Sequence, residues 1–373
     1  MGTDNDGRTT TMEPVVIARA PLSISLGEAG TCQPEQSDGP LKLVIRAAIS
    51  YYTYTIVAGG VGEGVQIIWA GCPAVRSCNR ATDAAIAGDL ALPEAVARQF
   101  NVPDGLKIFL VPQMPAGGGL GFSGSVAVSM IKALAYWSGI DLGPGDVAAL
   151  ACSAAAELLE RPSVRVDLYA AAYGGLTLTE IRGRHATCES LSLTPPARRL
   201  LEKSLMLFRP GEEGKPVPSS AAWPPGPPSE GQSGEARGAQ PEGELRADEV
   251  ALRLRSALEQ GDISAFGGLL HRLWVAERCA SGGEPGGFVD RCYRSARECG
   301  ALGGRCGLAG DDGTLVLSCH QTHQPDVTSA LRALGLVRWP LRLAPAGAEI
   351  LEAVPRAPSY VMSSPSLLWP AGS

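Results

Sequence analysis

The stretch "MPAGGGLGFSGSVAVSMIKAL", residues 114–134, joins a glycine-rich loop to an apolar, helix-forming run. The loop reads P-x-G-x-G-L-G-x-S at Pro115, Gly117, Gly119, Leu120, Gly121 and Ser123, with Gly118, Gly124 and Ser125 beside them. Glycines let backbone N–H groups approach a ligand closely. A helix N-terminus then directs those donors, and the positive end of its dipole, at an anion. The chemistry within reach is therefore the cradling of a phosphate. No G-K-[ST] follows, so this is not a Walker A loop. A glycine-rich turn that only packs a helix tightly on a sheet would read the same way, and the motif alone does not separate the two.

Other chemistry-bearing residues are scattered. Cys72 and Cys78 lie six apart, and Cys292, Cys299 and Cys306 recur every seven residues with no His at ligand spacing. His320 and His323, in "HQTH", offer two metal ligands without partners. Such spacing fits thiols in a reducing cytosol better than a zinc site.

A loop of this kind needs a strand before it and a helix after it. "LKIFLVP" (106–112) supplies the strand, and two consecutive helices are expected across 123–160, the second starting near Asp146. The segment 15–26 reads as paired strands or one bent strand, 41–57 as a longer strand pair, 92–100 as a short helix and 173–181 as a strand. A strand is expected at 201–210. Three helices follow the proline-rich stretch, one of them with Asp262 as its N-cap. Residues 210–245 hold eight prolines and seven glycines, a composition that cannot bury enough surface to order itself. A disordered insertion within one domain is expected there. Strands and helices mix without strict βαβ repetition, which favours a two-part α+β protein.

Composition sets bounds on partners. The chain has 373 residues, 45% hydrophobic and 19% charged, enough for a sizeable core. Its net charge of −6 argues against nucleic acid or an anionic membrane as main partner. The polar start "MGTDNDGRTTTMEP" has no apolar core of a signal peptide, and no apolar run is long enough to span a bilayer, so a cytoplasmic protein is expected.

The glycine loop resembles the ATP-phosphate loop of the GHMP small-molecule kinases. "ARAPLSISLGEAGTCQP" (18–34) resembles that family's sugar-binding motif, A-P-x-R-I-S-x-x-G-G-G-T-D. "RVDLYAAAYGG" (165–175) resembles G-K-Q-D-Q-Y-A-A-A-x-G-G of the branch that phosphorylates heptose 7-phosphate. "GDISAFGGLLHRLW" (261–274) and "ECGALGGRCGLAGDDGTLVLS" (298–318) sit where the branch has its G-x-L-L-H-x-x-W helix and C-terminal glycine loop, and "LRLAPAGAEIL" fits its closing strand. The resemblance implies two domains. An ATP-binding one, ribosomal-protein-S5-domain-2-like, would cover 13–185 after a disordered 1–12. A ferredoxin-like one would cover 186–373, interrupted at 210–245. The implied activity is ATP- and Mg²⁺-dependent phosphoryl transfer to a hydroxyl of a small sugar, sugar phosphate or polyol. By the same resemblance Asp167 is the catalytic acid–base residue, with Arg165 as a cation that could pair with it. Ser123 is a hydroxyl that can reach Mg²⁺, and Gly30, Thr31, Cys32 and Tyr173 face the acceptor.

The resemblance fails at particular positions. The family's Arg is Ser23, two of its three glycines are Glu28 and Ala29, and its sugar-binding Asp is Cys32. Phe122 replaces the first Ser of the loop's pair. The Mg²⁺-binding Glu aligns with Ala155; Glu157 could stand in only by turning about 200° around the helix. Asp311 and Asp312 bring two negative charges toward a triphosphate site. At 6 Å and an effective dielectric of 20 each like-charge pair costs about 3 kcal/mol, yet the pair could equally be a metal ligand or a solvent-facing turn. An active kinase with an altered acceptor, a degenerate GHMP-fold pseudoenzyme that binds a ligand or partner, and a different chemistry on the same fold, such as ATP-dependent decarboxylation or a lyase reaction, all stay open at this point.

Overall fold

Two long strands begin the fold. The first expected strand is a single bent one, β1 (Val15–Ala29), with register irregularities between Pro21 and Leu22 and between Ser25 and Gly27. Pro21 lacks a ladder donor, so a kink there is cheap. The second is not the expected pair but one strand of 17 residues, β2 (Lys42–Ala58). It serves as two by changing partners: Lys42–Ala47 pair with Leu176–Ile181, and Thr53–Ala58 with Lys107–Pro112. The structure is a computed structural model. It describes residues 15–29, 42–60, 64–70, 75–78, 91–100, 102, 104–114, 120–156, 163–182, 185–211, 247–280, 287–306 and 314–354. Gly30, Thr31, Cys32, Pro115, Gly117, Gly118, Gly119, Glu157, Asp311, Asp312, residues 1–12 and most of the proline-rich segment lie outside the described residues.

The chain continues through β3 (Val65–Trp69), β4 (Val75–Cys78), α1 (Ala91–Gln99) and β5 (Lys107–Pro112), and then α2 (Phe122–Trp137), α3 (Pro144–Ala156) and α4 (Ser163–Tyr173). β6 (Leu176–Arg182) and β7 (His185–Leu191) follow. The expected strand at 201–210 is split: α5 (Pro195–Ser204) runs straight into β8 (Leu205–Pro210). Thr194 starts α5 by accepting from Ala197 N, with prolines in its first turn, a start signal the sequence reading passed over. Next come α6 (Ala247–Gln260), α7 (Ile263–Ala280), α8 (Phe288–Glu298), β9 (Ala301–Cys306), β10 (Leu315–Cys319), α9 (Gln324–Ala333), β11 (Leu336–Trp339) and β12 (Glu349–Val354). Asp262 caps α7 as expected, its carboxylate accepting from Ala265 N at 2.9 Å.

Two sheets organise the α+β architecture. The larger has eight strands in the order β12-β1-β2-β5-β3-β4, with β6 on β2 and β7 on β6; the smaller is β11-β8-β10-β9. β7 and β12 both lie beyond residue 184 yet belong to the larger sheet, so the sheets do not divide the chain at 185/186. In the first core, Val126, Met130, Ile131 and Leu134 of α2 pack on Ala18, Ala20, Ile108 and Leu110. A second core joins Ile24, Leu26 and Ile45 to Leu254 of α6 and Phe266 and Leu270 of α7. Among the described residues no helix is long and apolar enough to cross a membrane.

The glycines of "ALGGRC", read as part of a loop, are a strand against a helix. A Cβ at Gly303 would collide with Gly267 O of α7 and come within 2.7 Å of His271 N. The "GLLHRLW" pattern on that helix also serves packing. Leu270 is buried, Trp274 stacks on Tyr293 with ring centroids 4.0 Å apart, and His271 Nδ1 meets the Tyr293 hydroxyl at 3.0 Å. Gly303→Ala is therefore expected to destabilise the protein by about 3 kcal/mol, the upper end for overpacking against rigid backbone. Urea unfolding checks this; an unchanged midpoint would mean that α7 does not sit on β9 as described.

Candidate active site

The site grows from the start of α2. Gly121 precedes the helix in a left-handed conformation (φ 65°) and gives no side-chain cap, so the first N–H groups of α2 are left to other acceptors. Two close approaches fix what lies beside them. A Cβ at Gly121 would sit 2.5 Å from Ser23 Oγ and 3.2 Å from Asp167 Oδ1. A Cβ at Gly124 would sit 2.7–2.9 Å from the carbonyl carbon, carbonyl oxygen and Cβ of Asp167. The absence of side chains at 121 and 124 thus lets α4 bring the Asp167 carboxylate against the N-terminal turn of α2. β1 is tied to the same point, where Ser23 N donates to Leu120 O at 2.9 Å.

The cation beside Asp167 comes from β2. Arg46 Nη2 lies 2.5 Å from Asp167 Oδ1; its Nε donates to Ser23 Oγ at 3.1 Å and its Nη2 to Ser23 O at 3.3 Å. Arg46 is 5% exposed. Arg165, which the sequence offered as the partner of Asp167, stands two residues from it on α4, about 200° around the helix, and its charge acts on Cys152 and Tyr169.

Further charges surround the pair. Glu28 of β1 forms an ion pair with Lys42 (2.8 Å). Burial pushes Glu28 upward, but Arg305 of β9, Lys42 and Arg46 outweigh it and hold the carboxyl below its ordinary range. Glu28 Oε1 is buried and finds no hydrogen-bond donor among the described residues. Burial also pushes the Asp167 carboxyl up, to about 6; Arg46 and Ser23 oppose the rise, and the Glu28 charge adds to it. The result is a carboxylate that can exchange a proton near neutral pH, the property a general base needs.

Other expected site residues fall elsewhere. Ser125 does not face the loop: it is buried, with its hydroxyl donating to Ala20 O (2.7 Å) and accepting from Thr53 N (3.3 Å), so it ties α2 to the sheet. The Leu120 side chain is buried in the second core. Ser123 is exposed on the first turn of α2, where a hydroxyl can reach a ligand. Tyr173 is separated from Asp167 by five residues of α4; its hydroxyl would lie 3.2 Å from a Cβ at Gly145, beside the first turn of α3. Phe122 stacks on Trp69 with centroids 5.4 Å apart and forms a wall on the core side. Ala155 is buried in the first core, a place that could not hold an ionised Glu without cost.

Sequence reading missed Arg46, the Glu28–Lys42 pair and Arg305. A signal was present for the first. "LVIRAAI" places one Arg inside an otherwise apolar strand, and a charge there needs a buried partner.

The fit of nucleotide and metal can be judged from these residues. The uncapped turn at 121–124, with its close approach of backbone, suits an oligophosphate. Among the described residues no three His, Cys, Asp or Glu side chains gather to hold a cation by themselves, and a magnesium ion is ordinarily held by one or two side chains together with substrate phosphates.

Comparisons with known proteins cover the same region of the chain. Residues 89–175, which include the loop, α2 and Asp167, match the family described as GHMP kinases N terminal domain. The D-glycero-alpha-D-manno-heptose 7-phosphate kinase of Campylobacter jejuni is 25% identical over 222 residues, 59% of this chain. That match spans 62% of the relative's length, less than two thirds. A candidate sugar kinase from Campylobacter jejuni superposes with a TM-score of 0.71 at 18% identity, covering 92% of this chain and 99% of the other. A D-glycero-D-manno-heptose 1-phosphate kinase from Bacteroides thetaiotaomicron gives 0.68 at 22%, covering 90% and 99%. Residues 89–175 are thus similar to the GHMP kinases N terminal domain, and the chain has the fold of the GHMP kinases it superposes on.

Proposed function

We propose that this protein transfers a phosphoryl group from ATP to a hydroxyl of a small sugar or sugar phosphate, with Asp167 as the base. The observation that carries the reading is the juxtaposition at residues 121–124: an anion-suited helix start and a proton-accepting carboxylate meet across two glycines. The relative named for heptose 7-phosphate supports a sugar phosphate as the acceptor class.

ATP, the co-substrate, supplies the phosphoryl group. The chain's own residues do the rest. The N–H groups of the first turn of α2, with the Ser123 hydroxyl at its edge, hold the phosphates. Asp167 takes the proton of the acceptor hydroxyl as that oxygen becomes the nucleophile. The Arg46 guanidinium balances the carboxylate before the proton arrives. Catalysis of this kind is positioning and electrostatics above all.

Thermal shift with millimolar ATP and magnesium chloride, followed by an ADP-release screen over sugars, sugar phosphates and amino alcohols, tests the reading. A nucleotide present at a hundred times its Kd stabilises the fold by about 2.7 kcal/mol, which raises the midpoint by several degrees. A nucleotide that neither stabilises the protein nor yields ADP with any acceptor would leave a scaffold without transfer.

A further inference from the structure

The least expected feature of the site is a buried arginine in the middle of a strand. Arg46 sits in β2 between Ser25 of β1 and Thr177 of β6 in register, flanked along the strand by Ile45 and Ala47, both buried. Nothing about a sheet interior favours a guanidinium. Removing it from water costs several kcal/mol unless its charge and N–H groups are answered. Three groups answer it here: the Asp167 carboxylate by an ion pair, and the Ser23 hydroxyl and Ser23 carbonyl as hydrogen-bond acceptors. All three stand where β1, α2 and α4 converge, because Ser23 N also holds Leu120 O and Gly121 leaves room for both Ser23 Oγ and Asp167 Oδ1. The guanidinium therefore holds the Asp167 oxygen that stands beside Gly121, and with it the direction of the carboxylate.

We propose that Arg46 is the positioning residue of this site: from β2 it holds Asp167 ionised and aimed at the turn 121–124, a task that needs a guanidinium at this spot but not on this strand. Because Ser23 Oγ lies 3.1 Å from Arg46 Nε, an arginine at position 23 can place its head group in the same volume once residue 46 is small. The charged groups acting on Asp167 are Arg46 from β2, which favours its ionised form, and Glu28 from β1, which opposes it; Ser23 adds a hydrogen bond. Lys42 and Arg305 act on Glu28 in turn.

This inference rests on Asp167 being the base, and its test is built to fail separately. The acid limb of kcat/KM for the wild type is expected near pH 6, since the base form prevails only above that value. Arg46→Ser removes the attraction and moves the limb to higher pH by about one unit or more, whereas Glu28→Gln removes a repulsion and moves it lower. Arg46→Lys keeps a charge and moves it less. Ser23→Arg combined with Arg46→Ser returns the limb toward the wild-type position. A merely structural arginine would change stability and leave the limb in place, and that result overturns the proposal while transfer itself stands. A second readout needs no turnover. A carboxyl with a raised pKa holds its proton more tightly in the folded state, so stability falls as pH rises from about 4 to about 6 and then levels. In Arg46→Ser the fall continues past pH 7, and the Tm gap to wild type widens between pH 6 and 8. A constant gap overturns the proposal even where no acceptor has been found.

Discussion

Asp167→Asn is expected to lower phosphoryl transfer by about 10²- to 10⁴-fold, the usual contribution of a positioned acid–base group, while nucleotide binding by thermal shift stays within a few-fold. The amide keeps the shape of the carboxylate beside Gly121 and Gly124 but accepts no proton from an attacking hydroxyl. Its effect separates two roles that the geometry superimposes. If Asp167 serves only to neutralise the buried Arg46, the substitution costs stability and spares turnover at permissive temperature. If it is the base, turnover goes and the fold persists. Single-turnover ADP release alongside urea unfolding distinguishes these outcomes, and a variant with unaffected rate removes Asp167 from the mechanism.

The second large effect comes from a residue with no side chain. Gly124→Ala places a methyl group 2.7–2.9 Å from the backbone and Cβ of Asp167. Both contacts are helix against helix, so neither can yield by turning a rotamer. α2 and α4 must part by several tenths of an ångström. Overpacking of this kind costs about 1–3 kcal/mol of stability. The displacement also carries the carboxylate away from the turn 121–124, and misplacement by about 1 Å can cost roughly 10²-fold in rate. The expected result is a folded protein with a lowered Tm, a kcat reduced by about two orders of magnitude and a nearly unchanged affinity for nucleotide. Full activity in Gly124→Ala would show that the approach of α4 to α2 does not set the geometry of transfer.

Much of this arrangement is legible in the amino-acid sequence. The strand at 107–112, the helix at 122–137 and the glycines between them follow from local rules: an apolar run, positions that need room, and a helix start with nothing to cap it. Asp167 is legible through resemblance. What escapes the sequence is set by long-range pairing. β2 reads as two strands because its apolar stretch exceeds ordinary strand length, and only its exchange of one neighbour for another makes a single strand intelligible. The glycines of β9 read as a loop because the helix that forbids side chains there lies more than 30 residues upstream. Adjacency in sequence offers Arg165 as the partner of Asp167. The buried ion pair is instead made by Arg46, which β-pairing delivers from 121 residues upstream. Ser23 in place of an arginine looks like loss, although a guanidinium reaches the same spot from the neighbouring strand.

The pairing of β12 with β1 has a consequence for how the chain is made. Arg19 meets Glu349 across 330 residues, so the ribosome must add all of them before β1 acquires its outer neighbour. At about 5–20 residues per second that interval is roughly 16–66 s. Throughout it the Val15–Arg19 end of β1 carries open peptide groups able to recruit a strand from another nascent chain. The Val15–Arg19 end of β1 thus gains its outer neighbour only after Ser23, farther along the same strand, can already be held by Leu120.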